Sequence, residues 1–282
     1  MRHLSRYSVL FLLLAGLFAA ACTSDEDGAT GNGNEATTTV EATPTTEAEE
    51  ETLRILLSND DGIGHPGIEL MLQALLELPD VEVEVVAPLE NQSATGDSTT
   101  EGGAEYEAAL TDGGYEGTAV DGFPVDAVNV AIDELGLEPH VVVSGINDAQ
   151  NIGPFAEISG TVAIARHAVS LGIPAVAVSA GLQFNEDEFS VGADLVTEWI
   201  EENRAALLDG TMETDVAISI NIPTCDSADM GDPVEVPRRT EEFPEGADPF
   251  TSDCDLADPD PEDDVAALRT GNPAISRVPP EL

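Results

Sequence analysis

The stretch Leu53–Gly67, LRILLSNDDGIGHPG, limits what this chain can fold into. Its apolar run from Leu53 to Leu57, bounded by polar residues, reads as a short buried strand. Pro66-Gly67 then precedes Ile68, Met71, Leu72, Leu75 and Leu76, which recur at helical spacing. Proline suits the first turn of a helix because its missing N–H has no partner there anyway. Between strand and helix stand Asn59, Asp60, Asp61 and Gly62. Two adjacent carboxylates at the end of a buried strand raise each other's pKa and are costly to keep charged. In an open α/β sheet that end is also where ligands bind. Two readings follow: a polar turn that caps the next helix, or the seat of a divalent cation that makes the pair tolerable.

The rest of the chain repeats the strand-then-helix theme. Val81–Ala87 reads as a second strand, followed by a long polar loop from Leu89 to Glu105 that contains Asn91, Gln92 and Ser93. Tyr106–Leu110 and Tyr115–Val120 flank Asp112-Gly113-Gly114 as a hairpin. A helix is expected from Pro124 to about Leu135, with Gly136 as its stop. His140–Val143 is a third strand, and it runs into Ser144-Gly145-Ile146-Asn147. Ser159-Gly160-Thr161 precedes a helix from Val162 to Leu171. The strand Ile173–Ser179, the helix Val191–Leu208 and the strand Asp215–Ile220 follow. Strands apolar throughout, alternating with helices over short links, argue for a parallel sheet covered on both faces. From Pro223 the pattern breaks. Pro, Asp and Glu dominate an irregular appendage with brief extended pieces at Val234–Val236 and Ala274–Val278.

In such a sheet three polar clusters reach one edge: Asn59-Asp60-Asp61, Ser93 and Asn147. Carboxylate, hydroxyl and amide oxygens suit a hard cation, and no His/Cys cluster with zinc spacing competes. Ser159-Gly160-Thr161 reads either as a plain helix cap or as an anion seat, where free N–H groups and the helix dipole favour phosphate. His65 reads as a solvated loop residue, with a role near the site as the alternative, and His167 reads as a helix-surface residue. Arg166 either faces solvent or lends positive field to the anion seat.

Charge and cysteine usage narrow the class further. The chain has 56 Asp plus Glu against nine Arg and no Lys, a formal net charge of −47. It has no basic surface with which to bind nucleic acid. The acidity fits either a saline setting or a solubility device. Residues 1–21 start with Arg2 and Arg6 and continue as an apolar run to Ala21, which reads as an export signal too short to span a membrane comfortably. Ala19-Ala20-Ala21-Cys22 resembles a bacterial lipobox with Cys22 as the lipidated residue; simple secretion is the alternative. Attachment to the outer face of the cell membrane would then come from the lipid anchor alone. Residues 22–52, rich in Thr, Glu, Gly and Asn, read as a disordered tether. Residues 53–222 form the α/β domain, and residues 223–282 pack on it as an extension. With Cys22 assigned to lipid, Cys225 and Cys254 remain as an even pair, read as a disulfide rather than two free thiols.

LLSNDDGIGHPGI, with the later SGINDAQNIG and ISGTVAIARHAVSLGIPAVAVS, resembles the SurE family of metal-dependent 5'/3'-nucleotidases, in the same order. DGFPVDAV is similar to its Gly-x-Pro-x-Asp helix start, and DDVAALRTGNPAISRVPP is a weaker echo of its late segment. The resemblance implies a Rossmann-like, doubly wound, mostly parallel sheet with a shortened C-terminal appendage. It implies that Asp60, Asp61, Ser93 and Asn147 hold Mg2+, Mn2+ or a similar ion. It further implies that Ser159, Gly160 and Thr161 bind the phosphate of a nucleoside 5'- or 3'-monophosphate, with Asn59 orienting substrate or water. Asp60 is a candidate base for activating that water. Ile158 stands where the family has an aromatic residue. The C-terminal half lacks much of the arm and final helix that the family exchanges between subunits, which argues against a family-type oligomer. The competing class is a non-catalytic lipoprotein that uses the same pocket to capture nucleotides or metal.

Overall fold

Alternation along the first strand decides how the domain is layered. In β1 (Leu53–Ser58), Leu53, Ile55 and Leu57 join one buried apolar cluster while Leu56 joins another on the opposite face. A strand buried on both faces needs helices on both, and the chain supplies them. The helices α1 (Pro66–Leu76) and α4 (Glu186–Leu208) cover the first face. The helices α2 (Pro124–Asn129), which continues into a π-type turn at Val130–Glu134, and α3 (Gly160–Ser170) cover the second. Each large aliphatic side chain buried this way contributes roughly 1.5–3 kcal/mol. The computed structural model describes residues 51–243, 248–256, 258 and 260–282. The export signal expected at 1–21, Cys22 and nearly all of the expected tether lie outside the described residues. Among the described residues no helix is long and apolar enough to cross a membrane.

The remaining strands are β2 (Val81–Pro88), β3 (Glu105–Leu110), β4 (Glu116–Asp121), β5 (Val141–Asn147), β6 (Ala175–Ser179), β7 (Ala217–Asn221), β8 (Val234–Glu235) and β9 (Ala274–Val278). They form one sheet in the order β3-β4-β2-β1-β5-β6-β7-β9-β8. From β4 through β7 every pairing is parallel. The expected hairpin is the antiparallel pair β3–β4. The order reverses at β1, which pairs with β2 on one side and β5 on the other. That switch point opens a crevice at the strands' carboxyl ends, which here are Ser58-Asn59-Asp60-Asp61 and Asn147.

The C-terminal residues are irregular over long runs yet contribute to the sheet. β9 runs antiparallel beside β7, and β8 pairs with β9. Between them, α5 (Asp264–Arg269) adds Val265, Ala267 and Leu268 to a small apolar cluster with Ile152 and Ala274. Because Ile152 belongs to the loop after β5, this cluster ties the appendage to the same crevice. Cys225 and Cys254 form a disulfide with Cα atoms 6.2 Å apart.

Two histidines and one arginine differ from their sequence reading. His167 is half-buried, its Nε2 2.7 Å from Asn129 Oδ1 on α2, because α2 and α3 pack together. Arg166 is buried, not solvent-facing. It binds both carboxylate oxygens of Asp97 at 3.0 Å and donates to the carbonyls of Pro279 and Pro280. It pins the long polar loop after β2 to the end of the chain. His65, the second histidine, belongs to the crevice.

Candidate active site

A cavity of about 240 Å3 lies at the switch point, lined among others by Asp60, Asp61, Ser93, Asn147 and Ser159. The structure therefore brings together the three polar clusters and the start of α3. Asn59 sets the first wall. It is fully buried, and its amide donates to the Gly62 carbonyl (3.0 Å) while its Oδ1 accepts from the Gly62 N–H (3.2 Å). Gly62 has φ +106°, a conformation that a side chain would strain. Asn59 thus clamps the turn that aims the two aspartates and does not line the cavity.

Asp60 and Asp61 are both buried. Asp60 Oδ1 accepts from the Thr161 hydroxyl at 2.6 Å. Asp61 Oδ1 accepts from Asn91 Nδ2 at 2.9 Å, and its Oδ2 from the Asp148 N–H at 3.4 Å. Burial pushes the Asp60 carboxyl up, with the Thr161 hydroxyl holding it back. Burial and then the neighbouring Asp60 push Asp61 up to about 6. The pair is held against its own repulsion, the condition a cation relieves.

The neutral donors around the pair are placed by hydrogen bonds. Asn147 Nδ2 donates to the Ala149 carbonyl at 2.6 Å, which leaves its Oδ1 free of a backbone partner. Ser93 sits on a loop stitched to the aspartates: Gln92 N donates to the Asp60 carbonyl (2.7 Å), and Gly96 N to the Ile158 carbonyl (3.0 Å). The next residue, Ala94, lines the cavity at φ 61°, strain of the kind that concentrates at functional sites. Two carboxylates, a hydroxyl and an amide oxygen are a fitting set for a hard divalent cation. Among the described residues no group of three or more His, Cys, Asp or Glu is arranged to hold a metal, so neutral oxygens are required to complete this set.

The Ser159-Gly160-Thr161 triplet divides its work. Ser159 lines the cavity and caps α3, its Oγ accepting from the Val162 N–H at 3.1 Å. Gly160 packs where a Cβ would lie 2.7 Å from Asp60 Cβ and 2.8 Å from Pro124 Cγ. Only glycine lets the helix start so close to the aspartate. Thr161 is buried with its hydroxyl proton committed to Asp60, and Asn151 Nδ2 lies 3.3 Å from the same hydroxyl. Of the three residues expected to meet phosphate, Ser159 alone lines the cavity; the other two fit the helix to the aspartate.

Several contributors escaped sequence reasoning. For His65 the alternative reading holds, and it is no solvated loop residue. It caps α1 by accepting the Gly67 N–H at Nδ1 (3.1 Å), and its Nε2 lies 3.1 Å from Asp148 Oδ2. Burial acts to lower its pKa, but the carboxylates of Asp148, Asp61 and Asp60 outweigh it and raise the value. Asn91, one residue from the loop's Gln92-Ser93, was visible in sequence but had no signal that paired it with Asp61. Phe155, Ile158 and Phe250 form an apolar part of the wall. Phe250 lies in the C-terminal appendage, too far along the chain for spacing to place it. Among the described residues no Arg lines the cavity.

Several known proteins resemble this chain. The family described as "Survival protein SurE" matches residues 55–241. A "5'-nucleotidase SurE" of Pelobacter propionicus is 38% identical over 183 residues, which span 64% of this chain and 70% of the relative. One from a strain of Prochlorococcus marinus is 32% identical over 252 residues, covering 82% of this chain and 94% of the relative. The crystal structure of the SurE protein from Aquifex aeolicus superposes with a TM-score of 0.62 at 26% identity, covering 81% of this chain and 94% of that one.

Proposed function

The chain belongs to the SurE family, and on that premise we propose that it is a metal-dependent phosphomonoesterase hydrolysing nucleoside 5'- or 3'-monophosphates outside the cytoplasm. The observation that carries this reading is the pair of buried aspartates, raised in pKa and facing a cavity whose described lining holds no Arg. A phosphate dianion is repelled from such a cavity unless positive charge is added there. Asp60, Asp61, Ser93 and Asn147 are the residues that would hold a divalent cation such as Mg2+ or Mn2+. When bound, that ion supplies Lewis-acid chemistry toward the phosphoryl group.

The protein's own groups supply the rest. The Ser159 hydroxyl and the N-terminal N–H groups of α3 receive the phosphate oxygens, favoured by the helix dipole. Thr161 and Asn91 each fix one aspartate in place through a hydrogen bond. Asp60 serves as the base that takes a proton from the attacking water. Asn59 acts one step back, by shaping the turn. Export is supported by the apolar segment after Arg2 and Arg6, with Cys22 as the site of a lipid anchor, and by a disulfide of the kind that persists in oxidising compartments.

The test is release of inorganic phosphate from a panel of nucleoside 5'- and 3'-monophosphates, with Mn2+ and with chelator. Release that depends on Mn2+ is expected. Tight nucleotide binding without turnover under any divalent metal would select a non-catalytic binding protein instead.

A further inference from the structure

The cavity lining combines two chemistries. It carries the oxygens of Asp60, Asp61, Ser93, Asn147 and Ser159, and it also carries the apolar side chains of Phe155, Ile158 and Phe250. Ile158 is 52% exposed, and Phe155 and Phe250 are partly buried. The rings of Phe155 and Phe250 are stacked, with centroids 5.3 Å apart and planes at 10°, and Phe243 packs on Phe155 at 4.7 Å. Only 4% of the chain is aromatic, so two Phe rings lining one cavity, with a third packed behind them, are a concentration that composition does not predict. The small apolar cluster behind them is closed by Ile152, Val265, Ala267, Leu268 and Ala274, with Phe243 packed against it. Phe155 and Phe250 are not needed to close it. Their side chains line the cavity, so uncharged apolar surface shares its lining with the oxygens suited to phosphate.

We propose that Phe155 and Phe250 form the wall on which the nucleobase of the substrate packs, and that the Cys225–Cys254 disulfide is the positioning element for that wall. The assignment rests on the nucleotidase reading above and adds to it the residues that favour an aromatic base over other phosphomonoesters. Every nucleobase has a π-face, so a pair of phenylalanines selects for bases as a class, without reading which base is present. The staple is specific. Phe250 N and Thr251 Oγ1 both donate to Asp248, so Phe250 leads a tight local turn. Two residues later Ser252 Oγ accepts from Thr224 N, and Asp253 N donates to the Arg269 carbonyl. Cys254 then joins Cys225, which follows the end of β7. The disulfide thereby fixes an otherwise irregular loop to the sheet beside the crevice.

The experiment compares steady-state kinetics of the full chain on adenosine 5'-monophosphate and on glycerol 2-phosphate, which has a phosphate but no aromatic group. For Phe250→Ala and Phe155→Ala the ratio of kcat/KM between the two substrates should fall about tenfold, the order of effect expected when one base–aromatic contact is lost. The fall should lie in KM for the nucleotide rather than in kcat, and Phe250→Tyr should restore the ratio. The double variant Cys225→Ser/Cys254→Ser should shift the ratio the same way. If that variant does not fold, Phe250→Ala still decides. An unchanged ratio in both Phe variants would overturn the proposal. Should the wild type hydrolyse neither substrate, the nucleotidase reading fails on its own. Equilibrium binding of adenosine then decides the wall separately: weaker binding by Phe250→Ala supports it, and equal or absent binding overturns it.

Discussion

Two corners of this molecule bury carboxylates beside the same loop and finish them differently. In the C-terminal corner Asp264 is fully buried, yet its Oδ1 accepts from Arg239 N and Val265 N and its Oδ2 from Gly153 N, all at 2.9 Å. Burial raises its pKa, and the N–H donors pull it back. At the end of β1, Asp60 has one side-chain partner, and Asp61 has Asn91 plus a long contact from Asp148 N. These two also repel each other and face a cavity. The depth of burial is similar; what differs is that Asp60 and Asp61 adjoin each other and line a cavity. A buried acid saturated by backbone N–H groups fastens chain segments together, here the appendage to the loop carrying Gly153. A buried pair that repels itself at a cavity is poised for a ligand.

The comparison is broken most directly at Asp61. Asp61→Asn keeps the shape but removes one of the charges that would hold the cation. At limiting Mn2+ activity should fall at least ~100-fold, since even outer partners of metal ligands cost 10–100-fold. Part of the loss should return at high Mn2+. Without metal the variant should melt at the same temperature as the wild type or higher, because repulsion with Asp60 is relieved. The pH dependence has a definite sign. A carboxyl raised to about 6 in the folded state destabilises the fold when ionised, so the chelated wild type should gain stability as pH falls through about 6. Asp61→Asn should lose part of that gain. Melting temperatures in chelator across that pH window read both effects, and unchanged metal dependence in the variant would sink the site as drawn.

Asp264→Asn should do the opposite. An amide puts N–H donors where a carboxylate oxygen met one, leaving at least one buried backbone N–H without an acceptor. The loss should be about 2 kcal/mol of stability by denaturant melting, with Mn2+ affinity close to wild type. If metal affinity fell more than stability, the two corners would not be separable in the way their hydrogen bonds indicate.

The two corners were also unequally legible in sequence. β1, its turn and α1 could be read because strand, Asp-Asp-Gly and Pro-initiated helix are contiguous, and each signal is local. The convergence of Asp60, Ser93 and Asn147 followed from a parallel sheet, which brings all strand ends to one edge. Roles within that edge were harder. Asn59 and Thr161 carry polar groups of the right kind, but their hydrogen bonds run to Gly62 and Asp60, and a motif does not say where a side chain's lone pairs are spent. The C-terminal corner was least legible. Its pairing of β9 with β7 is antiparallel across 52 intervening residues, and Asp264 read only as one acid among many before a short helix. Composition pointed to irregularity there, while tertiary contacts with Gly153 and Ile152 supplied the order.

Ser159 sharpens the comparison at its smallest scale, because it belongs to both kinds of chemistry. Its Oγ already accepts the Val162 N–H, which makes it a cap, and it also lines the cavity. Ser159→Ala should cost ~1 kcal/mol of stability as a lost cap. That result alone would not distinguish the roles. Ser159→Gly does, because glycine at this position costs only a few tenths of a kcal/mol of cap stability while removing the hydroxyl entirely. If the hydroxyl meets phosphate, the glycine variant should keep its melting temperature close to that of the wild type. Its kcat/KM should drop roughly tenfold, with no recovery at high Mn2+. The absence of metal rescue separates this loss from that of Asp61→Asn, which acts through the cation. Full turnover in Ser159→Gly would reduce Ser159 to a cap and leave the N–H groups of α3 as the phosphate's remaining seat on that helix.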